Sequence, residues 1–151
     1  MIAVIQRVFS ASVIADGAPA GKIEKGLYIL LGVAKGDCRD DAIALAEKIS
    51  KLRIFSDENG KMNLSVKDVG GEALIVSNFT LNANYAHGNR PDYLNSAAPD
   101  AANDLYKFFV SQIMQRDIKC STGVFGADMR TDMATDGPVT IVMDSNVLLR
   151  K

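Results

Sequence analysis

The run Gly26-Leu27-Tyr28-Ile29-Leu30-Leu31-Gly32-Val33 is almost continuously apolar. A strand with one wet face alternates in polarity, whereas a strand buried on both faces reads like this one. The run therefore predicts a central strand, and its neighbours supply the rest of a mixed fold. Before it, residues 2–9 are β-rich, and Ser10 to Ile14 continue in the same vein to Asp16-Gly17, a hairpin turn signal. After it, Ile43, Leu45, Ala46, Ile49 and Leu52 fall at helical spacing between Asp40 and Leu52, with Asp40 and Asp41 placed to cap the N-terminus. Turns are expected at Asn59-Gly60 and Gly70-Gly71, and a second buried strand from Glu72 to Phe79. Leu81 to Ser96 reads as a long polar surface loop. Pro99 to Arg116 reads as a helix with a stripe of Leu105, Phe108, Phe109, Ile113 and Met114. Short strands near Ile118–Phe125, Asp128–Met133 and Val139–Met143 close the chain. Strands outnumber helices and follow one another, so the expected class is α+β: a curved, partly barrel-like sheet covered by two main helices.

Length and charge bound the function. At 151 residues and 48% hydrophobic, residues 1–151 are expected to form one domain with a sizeable core. A net charge of -1 argues against disorder and against a large phosphate footprint, which needs clustered Lys and Arg. Cys38 and Cys120 are too few for a disulfide framework or a thiolate zinc site, and a reducing cytoplasm is the expected home. The first residues lack the pattern of a signal peptide, and no stretch approaches the roughly 20 apolar residues of a membrane span.

Familiar catalytic sets are missing. His87 is the only histidine and has no second His or Cys at ligand spacing, so it reads as a solvated loop residue and no metal is expected. Gly32-Val33-Ala34-Lys35-Gly36 lacks the spacing and the Lys-Ser/Thr ending of a phosphate loop. Two other segments stand out. Ser77-Asn78-Phe79-Thr80-Leu81 ends a hydrophobic strand, and Thr135-Asp136-Gly137-Pro138-Val139-Thr140 precedes the last one. Each sets small hydroxyl groups beside unusual backbone at a strand end. Taken alone, Ser77 and Thr80 are more often strand-end hydrogen-bonders than catalysts, and Gly137-Pro138 is more often a plain turn.

Together, however, the two segments resemble the signature motifs of the D-aminoacyl-tRNA deacylases. The likeness extends over essentially the whole chain. It takes in Gln6-Arg7-Val8, Ser10-Ala11-Ser12-Val13, Gly26-Leu27, Leu52-Arg53-Ile54-Phe55, Gly60-Lys61-Met62-Asn63-Leu64-Ser65 and Gly123-Val124-Phe125-Gly126-Ala127-Asp128-Met129. The resemblance implies a homodimer that removes D-amino acids from the 3′ end of tRNA without a metal or cofactor. It places catalysis at Ser77, Asn78, Phe79 and Thr80, with backbone N–H groups near Phe79 and Thr80 as oxyanion donors. Thr80 takes a positioning role, since no His, Lys or free amine adjoins it in the motif to activate it as a nucleophile. The terminal adenosine is expected against Phe125, Gly126, Ala127 and Met129, with its ribose hydroxyl assisting hydrolysis. By the same resemblance, the Gly137-Pro138 bond is cis and projects into the partner subunit's active site, held in place by Arg7, where it excludes L side chains. Glycine, with no side chain to exclude, is expected to pass this filter.

Two positions depart from the family pattern. Asn78 stands where Gln is usual and is one methylene shorter, so any contact from that amide is expected to be displaced or bridged by water. Thr135 stands where Asn is usual, and a hydroxyl replaces only part of an amide's hydrogen bonding. The loop from Asn82 to Tyr93 is also less basic, with Arg90 its only permanent positive charge, which implies weaker and more salt-tolerant tRNA binding. Three readings stay open: a D-aminoacyl-tRNA deacylase, a sister deacylase with relaxed chirality, and an inactive homologue that binds tRNA ends.

Overall fold

A long first strand organises the sheet in the computed structural model, which describes residues 1–149. This strand, β1 (Ile2–Ala15), is followed by β2 (Ala18–Ile23), β3 (Gly26–Gly32), α1 (Arg39–Ser50), β4 (Phe55–Ser56), β5 (Met62–Leu64) and β6 (Glu72–Ser77). A 3-10 turn (Phe79–Asn82), α2 (Pro99–Met114), β7 (Cys120–Thr122), β8 (Met129–Asp144) and α3 (Ser145–Leu149) complete it. Along one edge, β1 pairs antiparallel first with β3 and then with β2; along the other it pairs with β8 for almost its whole length. Strands β3, β6 and β7 run parallel. The sheet order is therefore β2-β1-β3-β6-β7, with β8 joined to β1. Its two ends nearly meet, since Ser121 Oγ donates to Lys22 O across the gap at 2.8 Å. A Cβ at Gly21 would sit 2.5 Å from Thr122 O, so this approach of β2 to β7 requires glycine.

The twice-buried reading of β3 holds, because its side chains alternate between two cores. Leu27, Ile29 and Leu31 pack with Ala73 and Ile75 of β6 against Leu45 and Ile49 of α1 and Phe109 and Ile113 of α2. Tyr28 turns the other way, joining Leu74, Val76, Val8, Val13 and Ile23 inside the curved sheet. Fully burying a side chain of this size contributes about 1.5–3 kcal/mol, so both helices are held chiefly by their apolar faces. Tyr106 adds a polar pin, donating from its buried hydroxyl to Ile75 O at 2.7 Å. Burial pushes its phenol well above the usual range. Among the described residues no helix is long and apolar enough to cross a membrane.

Several expectations need correction. The segments 128–133 and 139–143 are not two strands but one, β8, because both pair with β1 and only a short irregularity separates them. The strand expected at 118–125 shrinks to Cys120–Thr122, and β6 ends at Ser77 because Phe79 already belongs to the 3-10 turn. The loop from Leu81 to Ser96 is not wholly superficial. Asn82 is buried and donates to Val33 O at 2.9 Å, and Asn84 pairs with Asp92 in an isolated bridge. Helix α3 and the small β4–β5 pair had no clear periodic signal.

Candidate active site

Where β3 and β6 end side by side, with Leu31 registered against Ser77, the chain leaves an apolar chamber of about 440 Å³. Leu31, Val33, Ala97, Pro99, Ala102 and Tyr106 supply much of its wall. Ser77, Asn78 and Phe79 border it on one side, and Phe125, Gly126, Ala127 and Met129 on another. Two sequence segments almost fifty residues apart are thus brought to one cavity. Gly126 has φ +77°, a left-handed conformation that glycine adopts without steric cost. Thr80 does not line the chamber, and neither do Arg7, Gly137 and Pro138.

Asn78 accounts for the local shape. It sits at the N-cap of the 3-10 turn, and its Oδ1 accepts from the Thr80 N–H at 3.1 Å and from the Thr80 hydroxyl. Capping by a short side-chain oxygen is what Asn does well at a helix start. This revises one expectation. The Asn78 amide oxygen is engaged within the turn. The Thr80 N–H is committed to that oxygen, so it is not free to serve as an oxyanion donor. The Phe79 N–H, at the first position of the turn, makes no hydrogen bond among the described residues. A first-turn N–H has no partner within the helix, so the Phe79 group remains available at the chamber's edge. The Thr80 hydroxyl is bonded to Asn78 and to no base.

The second motif is an irregularity inside β8. Gln6 pairs with Thr140 and Val8 with Thr135, so the four residues Asp136 to Val139 stand opposite Arg7 alone. The surplus chain must bulge outward. Its Gly137-Pro138 bond is cis. Arg7 grips the base of this bulge: Nε donates to Asp136 O at 3.0 Å and Nη2 to Asp136 Oδ1 at 3.1 Å. Nη1 donates to Ile54 O, tying in the segment before β4. The guanidinium fork suits this geometry, since it offers fixed parallel donors. Both side chains are largely shielded, at 11% and 23% exposure, so the pair is less screened than a surface bridge. Thr135 is exposed and pairs with Val8 between two register shifts, one toward Gln6 and one toward Ser10.

A family model described as D-Tyr-tRNA(Tyr) deacylase matches residues 4–144. The chain belongs to this family. Among relatives, the D-aminoacyl-tRNA deacylase of Thermosipho africanus is 54% identical over 145 residues, covering 96% of this chain and 97% of its own. That of Koribacter versatilis is 52% identical over the same shares. The solved structure named c-Myc DNA Unwinding Element Binding Protein is 36% identical with a TM-score of 0.88, covering 95% of this chain and 98% of that one. A probable eukaryotic D-amino acid tRNA deacylase shares the fold, with a TM-score of 0.81 at 12% identity over 95% and 98% of the two chains.

The deacylase chamber includes wall residues that motif reading missed. Tyr106, Leu31 and Val33 carry the same apolar spacing as core residues, so periodicity alone cannot separate a cavity wall from a core. Among the described residues no group of three or more His, Cys, Asp or Glu is placed to hold a metal. Cys120 is half-buried, and burial pushes its thiol up to about 12, far from the thiolate range a nucleophile needs.

Proposed function

We propose that this chain hydrolyses the ester that joins a D-amino acid to the 3′ end of tRNA, releasing the free amino acid and tRNA. The observation that carries this reading is the meeting of Ser77-Asn78-Phe79 with Phe125-Gly126-Ala127 around one apolar chamber. In it the adenosine lies along Phe125 and Met129, and the ester carbonyl points to the Phe79 N–H. Water adds to the carbonyl carbon, the oxygen gathers negative charge, and the bond to the ribose oxygen breaks. An aminoacyl ester is already activated, so positioning and one or two well-aimed donors suffice. The neighbouring ribose hydroxyl assists, and the chemistry calls for no redox or group-carrying cofactor. Thr80 keeps the turn in shape and does not attack.

The working unit is a homodimer in which the Gly137-Pro138 bulge of one subunit completes the chamber of the other. Two features support this. The bulge is outside its own chamber's lining, and among the described residues β8 pairs with β1 alone, leaving a long second edge unpaired. Backbone carbonyls of the inserted bulge exclude an L side chain and leave room for a D side chain, and glycine passes for want of a side chain. Such an enzyme acts in the cytoplasm, where aminoacyl-tRNA is made and used.

Single-turnover deacylation of D-Tyr-tRNA, L-Tyr-tRNA and Gly-tRNA tests the whole reading. Loss of the D and glycyl esters with the L ester intact is the expected result. Cleavage of the L ester at a similar rate would favour the sister enzyme with relaxed chirality. A protein that binds tRNA and cleaves none of the three would be the inactive homologue.

A further inference from the structure

Beside the apolar chamber lies a second cavity of about 380 Å³, between α2 and the chain that follows β7. Phe125 and Tyr106 belong to the walls of both, so the two spaces adjoin across this aromatic pair, whose ring centroids are 6.1 Å apart. The other walls differ in character. Where the first chamber is apolar, the second carries Asn103, Lys107 and Thr122. Asn103 Oδ1 is buried with no hydrogen-bond partner among the described residues. An orphaned acceptor is unfavourable and is relieved by any ligand that brings a donor. Lys107 is exposed and enters no ion pair among the described residues. Another groove, lined by Lys51, Arg53, Lys67 and Arg116, is basic too, but none of its side chains carries a buried polar atom without a partner among the described residues.

We propose that this second cavity receives the base of the nucleotide preceding the terminal adenosine, a cytidine in tRNA. The inference rests on the deacylase reading of the first chamber. An unpaired 3′ end can be splayed, and its bases bind by stacking on aromatic side chains and by hydrogen bonds to their edges. With adenosine on one side of the Phe125–Tyr106 pair, the adjoining space is where the next nucleotide falls. Cytosine presents a 4-amino donor, the group that Asn103 Oδ1 lacks; uracil presents an acceptor there instead. Lys107 faces the phosphate that links the two nucleotides.

The experiment compares three D-tyrosyl esters as substrates: adenosine alone, cytidylyl-(3′→5′)-adenosine and uridylyl-(3′→5′)-adenosine. The wild-type protein should cleave the cytidylyl ester with kcat/KM roughly 10- to 100-fold above the adenosine ester. The uridylyl ester should fall about tenfold below the cytidylyl one. Asn103→Ala should erase the preference for cytidine over uridine while leaving the adenosine ester unchanged, and Asn103→Asp, which keeps an acceptor, should restore part of it. Lys107→Ala should lower only the two dinucleotide esters and flatten their salt dependence. Equal kcat/KM for all three esters would overturn the subsite and leave the deacylase reading standing. No cleavage of any ester would remove that reading and the subsite with it.

Discussion

The Ser77–Thr80 turn and the Asp136–Val139 bulge are both departures from regular strand, yet they are secured in opposite ways. The turn is held from within, by a side chain two residues from the group it caps. The bulge is held from without, by an arginine 129 positions away in sequence. Local fastening gives a site that forms with its own strand and tolerates change elsewhere. Remote fastening makes the bulge depend on the pairing of β1 with β8 and on the segment before β4. Damage to the first should therefore alter rate at one place, and damage to the second should alter selectivity and stability together.

The largest effect should come from Gly137→Ala. A Cβ there would lie 2.1 Å from Val139 N, so the bulge must rearrange. Discrimination between D-Tyr-tRNA and L-Tyr-tRNA should fall by about 10²-fold, the scale of a misplacement near 1 Å. Unchanged discrimination would mean the bulge is not the chiral filter. Next comes Arg7→Ala, which strands the Asp136 carboxylate and the Ile54 carbonyl. Removing one partner from a largely shielded pair should cost about 2–4 kcal/mol in urea unfolding, with a loss of selectivity alongside. If selectivity survives that destabilisation, the two regions are less different than they look. Arg7→Lys should fall between, since it keeps the charge and loses the fork.

Effects on the turn should be smaller. Asn78→Ala removes the cap at about 1 kcal/mol, while Asn78→Ser, itself a good N-cap, should keep most of that stability; thermal melts of the two variants decide. Smallest of all is Thr80→Val, which deletes one hydroxyl bond. Its kcat should drop no more than about fivefold. Abolished turnover, or an acyl-enzyme trapped in the wild type, would instead make Thr80 the nucleophile and break the comparison.

How much of this was written in the sequence differs by region for the same physical reason. The central strand was legible from Gly26–Val33 because burial on both faces leaves a continuous apolar run. The helices were legible to within a few residues from their stripes, and the α+β class followed. Asn78 was legible as a departure, but not as a cap, because cap geometry depends on where β6 stops. The four-against-one mismatch opposite Arg7 was invisible: register is a property of two distant segments, and neither records it alone. Tyr106 was missed because a cavity wall and a core residue need the same apolar spacing.

The mismatch in β8 has a consequence for how such a chain can change over generations. Beyond the two register shifts that frame Thr135 and the bulge, β8 pairs regularly with β1, Met129–Ala134 on one side and Thr140–Asp144 on the other. A residue gained or lost within the bulge alters its reach by up to about 3.3 Å and leaves every flanking pair in place. The bulge is a length-tolerant insert within a fixed frame, so its projection can be reset by small insertions or deletions ahead of Val139, which packs against the first core.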